Sequence, residues 1–391
     1  MQLKRHYADL HVHLGASRRG PVKIGASPRL RVEALERAAR AKGLDLLGVV
    51  DAQTAGVMED IARLLDVGAA QELSGGGFRL GRVVVIPGAE VEVPLGGGRA
   101  HFVILVGSWD ALEELAAWYR SHVSCPQLST QLCRVDWMEL RHLATSLGGL
   151  LWPAHAFTPH RGVYGAVSSL REALGGPLEL ALEAVELGLS ADSQLADRLP
   201  ELRAVTYLSN SDAHSPERLG REHNVLLLQE PSLTEVHRAL RGEGGRCIVE
   251  NWGMDPRLGK YHRTWCPRCK KNAALPPPVD ACPYCGSRRV VLGVLDRIVQ
   301  LAGAQNSDEL AVRRPPYRHY VPLELVPGLG CRTLSRLREI FGSELAVLHE
   351  ATDEQLAQAL PEGLLQRVLQ ARSGLLEVLP GGGGRYGRVL P

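Results

Sequence analysis

Short apolar runs and amphipathic stretches alternate along the first 245 residues. "HYADLHVHLG" (6–15), "GLDLLGVVD" (43–51), "GRVVVIPGAEVEV" (81–93), "RAHFVILVG" (99–107), "GGLLWPAH" (148–155), "LEAVELG" (182–188) and "AVTYLSNSDAH" (204–214) read as buried strands. Helical patterns lie between them. In "SPRLRVEALERAARAKG" (27–43), Ser27 suits the N-cap, Pro28 the first turn and Gly43 the C-cap. This alternation predicts an α/β region over residues 1–245 with a mostly parallel sheet. Residues two apart in a strand share a face, so His11 and His13 are expected side by side, opposite Leu10, Val12 and Leu14. The pattern then changes. Residues 246–295 hold clustered cysteines and a Pro-Pro-Pro turn, and 296–378 read as short helices. The stretch 379–391, with "GGGGRYGRVLP", reads as a flexible Gly-rich tail.

Length and composition agree with this division. A chain of 391 residues, 45% hydrophobic and 23% charged, is long enough for two or three globular domains. A net charge of +2 announces no nucleic-acid partner, so local patches must carry that case. The N-terminal stretch has no apolar signal segment and no run is long enough for a membrane helix, so a cytoplasmic location without a membrane partner is expected, nucleoid-associated if local patches do bind nucleic acid. The Gly-rich loops carry no phosphate-loop or dinucleotide fingerprint. Of the eight cysteines, Cys266, Cys269, Cys282 and Cys285 cluster, whereas Cys125, Cys133, Cys247 and Cys331 read as buried structural thiols.

Candidate chemistry sits at the strand ends. His11 and His13 lie at the first, Asp51 after "LLGVV", and Glu90 after "VVVIPGA". His101 opens "FVILV", His155 follows "LLWPA", and Asp212 and His214 follow "VTYLSNS". In an α/β barrel the active site is built at one rim of the strands. One such residue can be a satisfied structural polar group, but eight in corresponding places point to a shared metal site. Imidazole plus carboxylate without thiolate suits Zn, Mn or Fe. Eight donors exceed one tetrahedral ion, so two or three divalent metals (Zn, Mn or Mg) are expected, the arrangement that hydrolyses phosphate esters.

"DLHVH", "GVVD", "GAEVEV", "PAH" and "NSDAH" resemble the motifs of the polymerase-and-histidinol-phosphatase (PHP) family of metal phosphoesterases, over residues 8 to about 230. The resemblance implies a distorted (β/α)7 barrel and carries metal-ligand roles to His11, His13, Asp51, Glu90, His101, His155, Asp212 and His214. Among these, Glu90, Asp212 and His214 carry the catalytic roles. The chain departs from the family at Gln53, where members commonly have a histidine, which puts a third metal in question. Glu186 is a candidate extra ligand or supporting residue.

The pairs "CPRC" and "CPYC" have the spacing of a four-thiolate structural zinc site, a zinc ribbon whose closed shell serves folding. Residues 257–289 carry eight Lys or Arg against one acid, Asp280, a plausible phosphate-binding face. "LVPGLGCRTLSRLREIFG" (325–342) resembles a helix-hairpin-helix motif. Its Gly328 and Gly330 would let backbone N–H groups approach a phosphate, helped by Arg332 and Arg336.

Together with "LGKYH" and the "GGGGRYGRV" tail, this order of modules resembles the endonuclease Q family in its bacterial form. That resemblance implies a DNA-repair endonuclease acting on damaged double- or single-stranded DNA. Such an enzyme cuts 5′ of uracil, hypoxanthine, xanthine and abasic sites, with the damaged nucleotide flipped out of the stack. Lys23, His160, Arg161 and Tyr164, on loops leaving the same rim, are candidates to contact the nucleotide, and a monomer is expected. Two rivals stay open. A small-molecule phosphatase of the PHP family explains the metals but leaves ribbon and hairpin without purpose. A decayed DNA-binding barrel is favoured only by Gln53.

Overall fold

The computed structural model describes residues 2–303 and 314–390; residues 304–313, inside the span expected at 296–378, lie outside the described residues. Strand Lys4–Val12 runs parallel to Leu46–Val49, which runs parallel to Val83–Leu95. Gly98–Leu105 and Leu150–Pro153 then add antiparallel. Val185–Glu186 follows through Ala156 N–H to the Glu186 carbonyl (2.8 Å) and pairs in parallel with Tyr207–Leu208. A parallel bridge between Val12 and Ala213 closes the ring. The expected α/β barrel is therefore present, although its sheet is mixed rather than mostly parallel. The long Val83–Leu95 strand turns directly into its neighbour as a hairpin, and a hairpin can only pair antiparallel.

The lumen is apolar. Leu10, Leu46, Ile86, Val103, Trp152, Ala184 and Leu208, one from each strand or the residue preceding it, pack in one buried cluster. Fully burying side chains of this size contributes roughly 1.5–3 kcal/mol each. The first strand departs from simple alternation. Leu10 packs with Ala8 in the lumen, whereas Val12 and Leu14 pack in the outer core, against the sequence expectation of one face for all three. The register slips between Asp9 and Val12. This bulge turns His11 and His13 inward, a re-aiming common next to active sites.

Helix Val32–Lys42 ends as expected, with Gly43 left-handed and its N–H donating to Ala39, but its N-cap is Arg31, not Ser27. The Ser27 N–H is occupied by the His214 carbonyl at 2.7 Å, so residues 27–31 support the site loop instead of winding.

The sheet also extends outward from Lys4–Val12. His223–Leu228 and Cys247–Met254 add antiparallel, and Tyr317–Tyr320 adds parallel, so segments beyond residue 245 belong to the same sheet. The four clustered cysteines meet around hairpin Trp265–Cys266/Lys271–Asn272, with Sγ–Sγ separations of 3.8 Å (Cys266–Cys285) and 3.7 Å (Cys269–Cys282). A four-thiolate tetrahedron fits this spacing. Of the other cysteines only Cys133 is buried. Cys125 and Cys247 are half-buried and Cys331 is exposed at a helix start, so the expectation of four buried thiols fails for three.

The C-terminal stretch is likewise not free. Val378–Leu379 pairs with Arg388–Val389, and the glycines between them lie flat on the ribbon. A Cβ on Gly381 would come within 2.2 Å of the Gly259 carbonyl, and one on Gly383 within 2.3 Å of the Trp265 ring. These glycines serve close approach rather than flexibility. Among the described residues no helix is long and apolar enough to cross a membrane.

Candidate metal centre

Strand ends bring six donors to one rim of the barrel. His11, His13 and Asp212 offer ligand atoms within 4.8 Å of one another, and so do Glu90, His101 and His155. Glu90 joins the two groups. Its Oε1 lies 2.8 Å from His101 Nδ1, 3.1 Å from His155 Nε2 and 3.6 Å from His11 Nε2, and its Oε2 lies 3.3 Å from His13 Nε2. Asp212 Oδ1 is 3.4 Å from His13 Nε2 and 3.8 Å from His11 Nε2. The two Nε2 atoms of His11 and His13 face each other at 3.2 Å. Converging imidazole nitrogens with the Glu90 carboxylate between them have the donor chemistry of a divalent-metal site.

The charge balance asks for cations. Burial alone would keep His11 neutral, yet the carboxylates of Glu186, Glu90 and Asp212 outweigh it and lift its pKa to about 10. Glu90 is held well below the ordinary carboxylate range, since His101 and Lys23 more than offset the cost of burial. Asp212 is lowered as well, by His214, His11 and His13 against burial.

Two further carboxylates stand behind the imidazoles. Asp51 lies 3.0 Å from His13 Nδ1 and accepts the Leu14 N–H. Glu186 lies 3.0 Å from His11 Nδ1 and accepts from Asn210 Nδ2 (2.9 Å) and the His155 N–H (3.1 Å). A carboxylate on Nδ1 fixes the tautomer that leaves Nε2 free for a metal. Asp51, expected as a ligand, falls outside both donor groups and faces His13 Nδ1. His214 is outside them too: its Nδ1–H donates to the Asp212 carbonyl at 2.9 Å, and burial pushes its pKa down to about 4. Gln53 is buried, with neither amide atom hydrogen-bonded, and belongs to neither group.

Backbone strain collects here. His155 (φ 31°) and Asp212 (φ 46°) are left-handed non-glycine residues, as is Thr130 (φ 53°), whose hydroxyl donates to Glu90 at 2.8 Å. A Cβ on Gly188 would come within 2.8 Å of the His155 Cβ, so only glycine lets His155 sit there.

Lys23 reaches the centre, its Nζ 3.0 Å from Glu90 Oε2. Arg161 is at the cleft, in contact with Glu92, while His160 lies on the neighbouring surface. Tyr164 does not fit its expected role. It is fully buried, its hydroxyl donates to Glu201 at 2.8 Å and its ring stacks on Phe157, so it holds the loop and offers no exposed surface. Gly328 and Gly330 lie before helix Cys331–Phe341, with Arg332 and Arg336 exposed on its first turns. The cleft itself, of about 210 Å³, is lined by His13, Glu90, His101, His155, Asp212 and His214, and also by Lys260, Tyr261 and Tyr386. The sequence reading missed these last three because they lie far along the chain. A larger cavity of about 880 Å³ near Arg5, Tyr7 and Trp252 contains none of the donors.

No protein-family model matches the chain. The uncharacterized protein YqxK of Bacillus subtilis is 38% identical over 397 residues, spanning 100% of both chains. The crystal structure of the lesion-specific endonuclease PfuEndoQ from Pyrococcus furiosus is similar over 99% of this chain and 95% of its own, at 32% identity and a TM-score of 0.83. A crystal structure of endonuclease Q with a 27-mer duplex carrying an abasic lesion at its active site covers 99% of this chain and 97% of its own, at 32% identity and a TM-score of 0.84.

Proposed function

The chain belongs to the endonuclease Q family, and from that premise and the geometry of the cleft we propose a metal-dependent DNA-repair endonuclease. It hydrolyses the phosphodiester 5′ of uracil, hypoxanthine, xanthine and abasic sites in duplex or single-stranded DNA. The observation that carries the reading is the pair of donor groups, with Glu90 reaching from one to the other, in a cleft walled partly by the ribbon segment and the tail.

His11, His13 and Asp212 would hold one divalent ion, Glu90, His101 and His155 a second, and the four thiolates a structural zinc. Divalent ions held there would supply an activated water at neutral pH and offset charge on the reacting phosphate. The protein's own groups orient and balance. Asp51 and Glu186 fix two imidazole tautomers, and Lys23 and Thr130 hold Glu90 Oε2. A damaged nucleotide, weakly paired, costs less to unstack into the cleft than an intact one. A basic ribbon face and the exposed Arg332 and Arg336 hold backbone without reading sequence.

Matched duplexes with one uracil, hypoxanthine or abasic site, assayed with Mn, Mg and Zn in turn, test the reading. A nick immediately 5′ of the lesion is expected, absent from undamaged DNA. Asp212→Asn should abolish the nick while DNA binding persists. Phosphate release from small phosphomonoesters without any nick would instead place the protein among the phosphatases.

A further inference from the structure

Three cations converge on one tyrosine at the mouth of the metal cleft. The guanidinium carbons of Arg218 and Arg221 lie 5.0 and 5.3 Å from the Tyr386 ring centroid, and Lys260 Nζ lies 4.8 Å from it. Arg221 donates to the Tyr386 hydroxyl at 2.9 Å and Arg218 at 3.4 Å. Arg221 is 5% exposed, and its other donors go to backbone carbonyls, Ser211 at 2.8 Å and Asp212 at 3.3 Å. Among the described residues none of the three is ion-paired with a carboxylate. Gathering positive charge in a half-buried place is costly unless an anion completes it, and one aromatic face offsets only part of that cost.

The arrangement is built, not incidental. Tyr386 belongs to the stretch whose glycines pack against the ribbon. The N–H groups of Gly381, Gly384 and Gly387 donate to the carbonyls of Arg257, Lys260 and Leu258. Lys260 and Tyr386 line the same cleft as the metal donors, so an anion held there is a near neighbour of the reacting phosphate.

We propose that Arg218, Arg221 and Lys260, assembled around Tyr386, form a phosphate seat that grips a backbone phosphate of the DNA strand next to the one that is cut. The inference rests on the DNA reading above, and its test separates the two.

The full chain carrying Asp212→Asn, which leaves the duplex intact, is titrated with an abasic-site duplex across a salt series. The measurement is repeated with Lys260→Ala and Lys260→Arg. Loss of one phosphate contact predicts about tenfold weaker binding and a log–log salt slope shallower by about 0.9 for Lys260→Ala, with Lys260→Arg restoring both. A set of duplexes with one methylphosphonate, stepped along the strand near the lesion, adds position. One neutralised phosphate should weaken the Lys260 protein and leave Lys260→Ala indifferent. An unchanged slope and the same methylphosphonate profile in Lys260→Ala would overturn the seat. If the Lys260 protein does not bind the lesion duplex at all, the DNA reading fails, and inorganic pyrophosphate decides the seat. A thermal upshift lost in Lys260→Ala supports an anion site for another ligand, and no upshift overturns it.

Discussion

Glu186 is fully buried, and the groups around its carboxylate include the His11 ring, the His155 N–H, Asn210 and, at 3.4 Å, Trp152 Nε1. A glutamine there keeps the shape but removes the charge opposite His11 Nδ1, and it turns an NH2 toward groups that are already donors. Glu186→Gln is therefore expected to weaken divalent-ion binding in the cleft by roughly 10- to 100-fold, the usual effect of losing a carboxylate behind a ligating histidine. Calorimetric titration with Mn checks this. Equal affinity in the variant would mean that Glu186 only packs. The convergence of the candidate donors was legible in the sequence because histidines and acids at strand ends of one barrel meet at its rim. That Asp51 and Glu186 each stand behind one imidazole while Glu90 meets four was not legible, since the sequence shows which acids end strands but not how many rings converge on each. Tyr164 was misread for a similar reason: an aromatic residue in a glycine-flanked loop looks the same in sequence whether its ring is buried or exposed.

Among the elements, the first strand shows how a period can mislead. Its alternation pairs the two histidines correctly, yet the one-residue slip that turns them inward leaves no mark in the polar pattern. The junction between the sheet and the helices rests on His349, which ends helix Glu344–His349. Its ring stacks on Tyr7 at 5.7 Å and lies 4.0 Å from Trp252, with His223 5.4 Å away. Burial drives the pKa of His223 down to about 4. Burial, together with His223 and Arg372, drives that of His349 down to about 2. An unfolded imidazole titrates near 6.5, so as pH falls the unfolded chain takes up protons first. The stability contributed by two neutral rings is complete above about pH 6.5. It is lost as pH falls toward 4, by roughly 2 kcal/mol per ring at pH 5. His349→Phe keeps a ring in the stack and abandons no hydrogen bond, since neither nitrogen of His349 has a partner. The variant's melting temperature should fall less between pH 7 and 5 than that of the parent protein. Parallel curves would place the acid sensitivity elsewhere.

Across the whole molecule, the zinc hairpin and the cutting site are joined by a continuous run of contacts that no local sequence pattern reveals. Arg263 and Asn272, flanking the first two thiolates, hold the tail: Gly382 pairs with Arg263, and Asn272 Nδ2 donates to the Pro380 carbonyl at 3.0 Å. The tail places Tyr386, Tyr386 receives Arg221, and Arg221 grips the carbonyls of Ser211 and Asp212. Glycine content suggested flexibility because composition cannot separate a backbone that must move from one that must lie flat against another. The difference appears only once Trp265 is found beneath Gly383. The ribbon should therefore affect the cut without touching it. Replacing one thiolate, Cys282→Ser, removes the structural zinc and loosens the hairpin, which releases the tail to limited proteolysis. Lesion incision should fall by roughly tenfold, the factor that about 1.4 kcal/mol of lost positioning represents, while the barrel's thermal transition stays in place. Truncation after Leu379 should lower incision to the same degree with the ribbon zinc retained. If Cys282→Ser exposes the tail to protease but incises at the parent rate, the tail does not position Asp212, and the thiolate site serves the ribbon alone.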